Sequence, residues 1–294
     1  NGCQDPSTAA VLASTTSTPL DATFTPTDFK FFEPSNIAIG DNGHMLYIRS
    51  SNSIFRMDLR DNLVERLFGR TGTVWTQARI TSGEAIEDCG DAVPVVDIDY
   101  TLMVISPDNH YMYASKVGTA ENIARIDINP YSDKFRCATN FVGQQSAGTA
   151  DGVGSSASFQ YIYGGDMSKD GSTIVTFSQG KGTIRLVDVA TATVSTLAGG
   201  GSNKQTKISN LASPLNTAEF AAAYDGVGSN ALFKDIHQAR FSHDGNTVFV
   251  MDEVYFSTGH RKGVLRKIDV SSAAVTTLFS PNAASNYEYM PEFI

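Results

Sequence analysis

Asp151-Gly152-Val153-Gly154-Ser155-Ser156-Ala157-Ser158-Phe159 and Asp225-Gly226-Val227-Gly228-Ser229-Asn230-Ala231-Leu232-Phe233 share one pattern, a carboxylate and two glycines ahead of an Ala and a Phe. Calcium is the first chemistry such loops suggest. Ca²⁺ takes six to eight oxygens, however, and each loop offers one carboxylate plus carbonyls. A structural turn is the better reading: Asp accepts turn amides, Gly takes unusual dihedrals, Ala packs tightly, and Phe159 or Phe233 plugs between neighbouring sheets. The recurring pairs Arg185 with Asp188 and Arg266 with Asp269 likewise suit a scaffold, stabilising adjacent strands by charge and hydrogen bonds. Neither a Gly-x-Ser-x-Gly nucleophile pattern nor a phosphate loop is present.

Three cysteines, Cys3, Cys89 and Cys137, do not make a zinc site, because none stands in a short paired spacing with histidines beside it. Cys89 and Cys137 are disulfide candidates, which leaves Cys3 for a partner outside this segment; three free thiols is the alternative. From Asp5 to Asp28, ten of 24 residues are Ser or Thr and three are Pro. That composition buries little and reads as an arm or linker over residues 1–28, open to O-linked glycans. Pairing of Phe24–Phe32 as an edge strand is the alternative. No Asn-x-Ser/Thr acceptor is present, and the cysteines together with the arm point to an extracellular or cell-surface setting.

The balance of charge, 22 Lys+Arg against 31 Asp+Glu, gives a net charge of −9. Nucleic acid and anionic lipid need clustered positive charge, so neither is an expected partner. At 41% hydrophobic residues the chain is globular, and no apolar run approaches the roughly 20 residues that span a bilayer.

The elements that must position these residues repeat four times. Each unit opens with a strand and a polar turn: Asn36–Gly43, Leu102–Asn109, Gly165–Gly171 and Ala239–Gly245. Asn-Gly and Asp-Gly there supply the positive φ of tight hairpins. An alternating second strand follows (Met45–Arg49, Tyr111–Ser115, Thr173–Phe177, Thr247–Met251), then a third ending in Asp58, Asp127, Asp188 or Asp269, and a fourth (Val64–Gly69, Phe135–Gly143, Val194–Gly199, Val275–Phe279). Helical periodicity is absent apart from a short helix that Asn216–Tyr224 could hold. Twisted four-stranded sheets are apolar on both faces and cover one another when set radially, which predicts an all-β propeller of four-stranded antiparallel blades. The blades fall at about 31–70, 98–143, 159–199 and 233–281 of a propeller region 29–294.

The Asp-Gly-x-Gly-x-x-Ala-x-Phe loops, followed by Ile184-Arg185-Leu186-Val187-Asp188 and Val194–Gly199 or by Leu265–Asp269 and Val275–Leu278, resemble the NHL-repeat propeller family. The second unit is degenerate, with Glu87-Asp88-Cys89-Gly90-Asp91-Ala92 at the loop, and the first lacks the loop altogether. The resemblance covers about residues 31–281 and implies a ring of six blades, whereas only four units are present. Tyr287–Ile294 looks like the approach to another first strand, as in Phe31-Phe32-Glu33-Pro34. A longer polypeptide with a partial fifth blade here is the expectation, and closure of a smaller ring by this tail is the alternative.

In such a meander, connections alternate between two ends of the blades. Every long one (70–97, 144–158, 200–232, 252–263) falls on the same end. Long loops in compact domains carry function, so binding is expected there, through Trp75, Arg79, Tyr224, Tyr255, Phe256, His260, Arg261 and Lys262. Aromatic and Arg residues are the usual interface anchors. The resemblance also raises enzymes, since some NHL relatives are lyases and other propellers are lactonases, with a channel metal held by His or by several acidic residues. His44, His110 and His243 sit at turns of the opposite end, leaving His237, His260 and no cluster; Asp166 and Arg240 lie near first strands but do not make a metal site. The expectation is therefore a non-enzymatic, extracellular protein-binding or assembly module without cofactor or metal, including a structural subunit of a filament or appendage that joins other proteins or copies of itself. A metal-dependent propeller enzyme and a ligand-binding receptor module are the alternatives.

Overall fold

A computed structural model describes residues 23–24, 31, 34–40, 43–50, 53–69, 93–94, 100–116, 121–144, 146–178, 181–200, 217–255 and 261–280. It shows an all-β propeller chain of four antiparallel blades. Blade one comprises β1 (Thr23–Phe24), β2 (Pro34–Gly40), β3 (Met45–Ser50), β4 (Ser53–Asp58) and β5 (Leu63–Gly69). Blade two comprises β6 (Val93–Pro94), β7 (Tyr100–Ile105), β8 (Tyr111–Lys116), β9 (Ile123–Asp127) and β10 (Cys137–Val142). Blade three comprises β11 (Gly152–Val153), β12 (Ile162–Met167), β13 (Thr173–Ser178), β14 (Thr183–Asp188) and β15 (Thr193–Gly199). Blade four comprises β16 (Gly226–Val227), β17 (Asp235–Phe241), β18 (Thr247–Tyr255), β19 (Arg261–Asp269) and β20 (Ala274–Phe279), preceded by helix α1 (Thr217–Tyr224).

Each sheet keeps the four expected long strands and adds a fifth, two-residue strand, in orders such as β11-β15-β14-β13-β12. The added strand comes from upstream of its own blade and pairs with the fourth strand, as Gly152 does with Val194 and Gly226 with Val275. In blade one the pairing is Thr23 with Glu65 and Phe24 with Val64. The stretch read as an arm thus contributes an edge strand at Thr23–Phe24, while residues 1–22 and the tail 281–294 lie outside the described residues.

The chain divides into two compact units, 1–116 with 124–139 and 117–123 with 140–294. In the first, Met45, Tyr47, Ile54, Leu67, Met103, Ile105, Met112 and Ile126 form the core. Burial raises the Tyr47 hydroxyl to about 12, and that hydroxyl donates to Asn109 Oδ1 at 2.6 Å. In the second, Val175, Phe177, Ile184, Leu197, Phe233, Ile236, Val248, Val250 and Ile268 form the core. The turns between first and second strands are built as expected. In blades three and four, Ser168 and Ser242 each donate to the Asp two residues on, at 2.6 Å, and accept the amide of Thr173 or Thr247 at 3.0 Å. Gly171 and Gly245 close them at φ 75° and 74°.

Candidate functional site

The Asp-Gly loops and the third-strand arginines turn out to be two halves of one lock. Arg185, 2% exposed, donates from Nη2 to Asp151 Oδ1 at 2.7 Å and to Ala150 O at 2.6 Å, and from Nη1 to Ser158 O at 2.6 Å. Its guanidinium lies 4.6 Å from the centre of the Phe159 ring. Asp151 also accepts the Thr196 amide at 2.9 Å. Blade four repeats the arrangement. Arg266, fully buried, donates to Asp225 Oδ1 at 2.9 Å, to Tyr224 O at 2.7 Å and to Leu232 O, and lies 4.3 Å from the Phe233 ring centre. Asp225 accepts the Thr277 amide at 2.7 Å.

The loop carboxylates therefore serve a buried guanidinium and a fourth-strand amide, where turn amides were expected. Asp188 and Asp269 serve their own turns, accepting the amides of Thr191 at 2.7 Å and Ser272 at 2.8 Å. Phe233 does plug between blades three and four. A side chain on Gly182, at φ 57°, would press to 2.4 Å from the Phe233 carbonyl oxygen. Both guanidinium groups are buried and spent on the carboxylates and carbonyls of their own blade, so the motif is scaffold.

The expected binding residues fare differently. Tyr224 is 7% exposed and packs with Phe220, Leu232, Val254 and Val264, its ring 4.6 Å from that of Phe220. It seats α1 on the sheet and cannot anchor a partner. Of the stretch 252–263 expected as a loop, residues 252–255 and 261–263 are strand: β18 and β19 pair as far as Val254 with Lys262 and Tyr255 with Arg261. Regular pairing of these two strands thus continues past the paired ends of the first and fourth strands, and residues 256–260 lie outside the described residues. Trp75, Arg79, Phe256, His260 and Cys89 lie outside the described residues. Cys137 is buried at 3% exposure at the start of β10.

What the same end of blades three and four does expose was not among those residues. The first strands there carry a bulge at equivalent places, between Ile162 and Gly164 in β12 and between Ile236 and Gln238 in β17. The extra residue, Tyr163 in one blade and His237 in the other, has no partner opposite, and a bulge re-aims such a side chain. Tyr161 and Tyr163 are 48% and 49% exposed. Tyr161 stands at φ 60°, a left-handed conformation that is uncommon for a bulky residue. In blade four the corresponding positions are Asp235 and His237, and Glu253 lies opposite Asp235 in register. His237 Nε2 is 3.3 Å from Glu253 Oε2, and one ligand atom from each of Asp235, His237 and Glu253 falls within 4.8 Å of the other two. The expectation that His237 joins no cluster is thereby corrected: register, which the sequence does not display, supplies Glu253.

Farther along the same strands, Asp166 and Arg240 meet across β12 and β17, Arg240 Nη1 lying 3.6 Å from Asp166 Oδ1. Asp166 also accepts the Phe241 amide at 2.9 Å, and burial raises its carboxyl above the usual range. Beneath the cluster, Asp252 accepts the Lys234 amide at 3.0 Å and the Asp235 amide at 2.8 Å. Complete burial pushes its carboxyl up to about 6, against the opposing pull of Arg266. Asp252 thus fixes the start of β17 from below.

Known folds resemble this one. A structural genomics protein of unknown function from Bacteroides thetaiotaomicron VPI-5482 aligns at TM-score 0.50 with 12% identity, over 86% of this chain and 49% of its own. Kuenenia stuttgartiensis hydrazine synthase aligns at 0.47 with 13% identity, over 85% and 51%. An auxiliary nutrient binding protein from Bacteroides thetaiotaomicron VPI-5482 aligns at 0.43 with 18% identity, over 79% and 44%. What the first of these shares with the chain is the fold. The chain spans about half the length of these structures. No protein-family model and no curated protein sequence matches it.

Proposed function

We propose that the chain is an NHL-type propeller that works as a protein-binding or assembly module outside the cell. The observation that carries this reading is the pair Tyr161 and Tyr163, half exposed at the start of a first strand, with Tyr161 in a left-handed conformation just ahead of β12. Strained backbone clusters at functional sites, and Tyr supplies a large amphipathic contact surface of the kind that anchors interfaces. The recurring buried arginines are occupied by the scaffold, which leaves recognition to this end of the blades and to the residues expected beside it, Trp75, Arg79, Tyr255, Phe256, His260, Arg261 and Lys262. An arm with O-linked glycans, a Cys89–Cys137 bridge and assembly through Cys3 belong to the same proposal, and the burial of Cys137 is what supports the bridge. A role as a filament or appendage subunit is its most specific form.

The test is a photo-crosslinking residue placed at Tyr163, with the same residue at His243, on the opposite end of blade four, as the control. Position 163 captures a protein from the extracellular fraction of the source cells and position 243 does not. Equal capture, or none at either, removes the assignment. A metal-dependent enzyme of lyase or lactonase type is the second reading, favoured by the grouping of Asp235, His237 and Glu253. Lactone or lyase turnover that disappears in His237→Ala would put it first.

A further inference from the structure

We propose that Asp235, His237 and Glu253 form a binding site for a divalent first-row transition metal ion of the zinc type. The site is built by one hairpin. Asp235 and His237 are two residues apart on β17, and residues so spaced along a strand share a face. Glu253 faces Asp235 across the β17–β18 ladder, and directly opposed side chains of an antiparallel pair approach to about 4.5–5.5 Å at Cβ. The bulge between Ile236 and Gln238 leaves His237 without an opposite residue, which brings its ring over Glu253, Nε2 to Oε2 at 3.3 Å.

Donor types narrow the ion. One imidazole nitrogen and two carboxylate oxygens form a mixed set that suits zinc and its neighbours; Ca²⁺ and Mg²⁺ prefer oxygen alone. Bonds of about 2.0–2.2 Å to such an ion place ligand atoms a little over 3 Å apart. The His237–Glu253 separation already meets that, and rotation of the Asp235 side chain within the 4.8 Å limit of the cluster completes it. His237 is 45% and Glu253 21% exposed at the side chain. An ion therefore enters from solvent, and three protein ligands leave a coordination position open to water or to a ligand's own oxygen.

A scaffold role does not account for these residue types. Blade three carries the same bulge and the same buried Arg lock, yet the residue at the bulge is Tyr163 and the one before its first strand is Tyr161. The fold tolerates aromatics there, so the Asp and His of blade four answer to something other than packing. Asp252 reinforces the arrangement by holding the Asp235 amide at 2.8 Å, which fixes the backbone from which the first ligand projects. The assignment rests on the same three residues as the metal-dependent reading above, but it concerns binding of the ion alone and is tested without turnover.

The experiment uses the chelator-treated full chain, titrated with Zn²⁺ by calorimetry and with Co²⁺ by visible absorption. A single Zn²⁺ is expected per chain, with Co²⁺ giving the intense ligand-field bands of a site with few ligands. His237→Ala weakens Zn²⁺ binding by more than about tenfold, since even changes outside the ligand shell cost 10–100-fold. Tyr163→Ala, the equivalent change in blade three, leaves affinity unchanged. Because the His237 side chain is half exposed, its variant keeps the wild-type unfolding midpoint without metal and loses only the rise that Zn²⁺ confers on the wild type. No Zn²⁺ binding by the wild type, or equal affinity in wild type and His237→Ala, overturns the proposal.

Discussion

Blades one and four share a strand order but solve the packing of the third strand in opposite ways. In blade four the residue three before the strand-ending Asp is Arg266, buried and bound to Asp225 and two carbonyls. In blade three it is Arg185. In blade one the equivalent residue, beside the same register shift, is Phe55, which meets Phe31 edge-on at 5.6 Å. In blade two the position falls to Ala124, packed on the core. The arginines of blades one and two stand one residue later, on the other face of the strand: Arg56 pairs with Glu65, and Arg125 lies 5.0 Å from the Tyr111 ring centre. A one-residue displacement in a strand exchanges faces, so the Ile-x-Arg segments of blades one and two and the Ile-Arg and Leu-Arg segments of blades three and four build different interiors. The Asp-Gly loop goes with the buried arginine because a guanidinium out of water requires a carboxylate and carbonyls to meet it.

That contrast is broken most severely at Arg266. Arg266→Ala leaves Asp225 without its ion pair and Asp252, fully buried 3.8 Å from Nη1, without a counter-charge. Loss of one partner from a buried pair costs about 3–5 kcal/mol. Urea unfolding should register that loss, and hydrogen exchange should rise in β16–β20 well before β2–β5. Equal acceleration in both blades would mean the lock is not local to its blade.

The next effect is a dependence on pH expected of blade four and not of blade one, where Ser50 stands at the place of Asp252. Asp252 is raised from 3.8 to about 6 in the folded state, so folding favours its protonated form. Its contribution to stability is complete below about 3.8 and is lost as pH rises to about 6. Asp252→Asn cannot ionise, and its amide oxygen can still accept the amides of Lys234 and Asp235. Denaturation midpoints of the wild type should fall relative to Asp252→Asn across that window. Parallel curves would assign the group an ordinary titration.

The smallest effect separates the two locks from each other. The Asp151 side chain is 45% exposed where that of Asp225 is 16% exposed, so solvent screens the first pair more. Asp151→Ala should cost about 1–2 kcal/mol, the range of a charged hydrogen bond with partial solvent compensation. Asp225→Ala, measured the same way, should cost more. The reverse ranking would show that burial of the carboxylate does not set the strength of the lock.

The four long strands of each blade, their order and the turns joining first to second strands were legible in the residues; the two-residue edge strands and the extension of β18 and β19 were not. Period-two alternation, Asn-Gly and Asp-Gly turns and the Ile-Arg repeats are local features, and each carries its physical consequence on a few neighbouring residues. The sequence also located the helix at Thr217–Tyr224. Which carboxylate each arginine meets is settled by packing, since Asp151 and Arg185 are 34 residues apart and Asp225 and Arg266 are 41 apart. Packing likewise turns Tyr224 inward, pairs 252–255 with 261–264 as strand, and brings Glu253 to face Asp235 beside His237. Those outcomes depend on register and on bulges, where one unpaired residue redirects a side chain, and register is a property of two strands together that neither strand's residues specify alone.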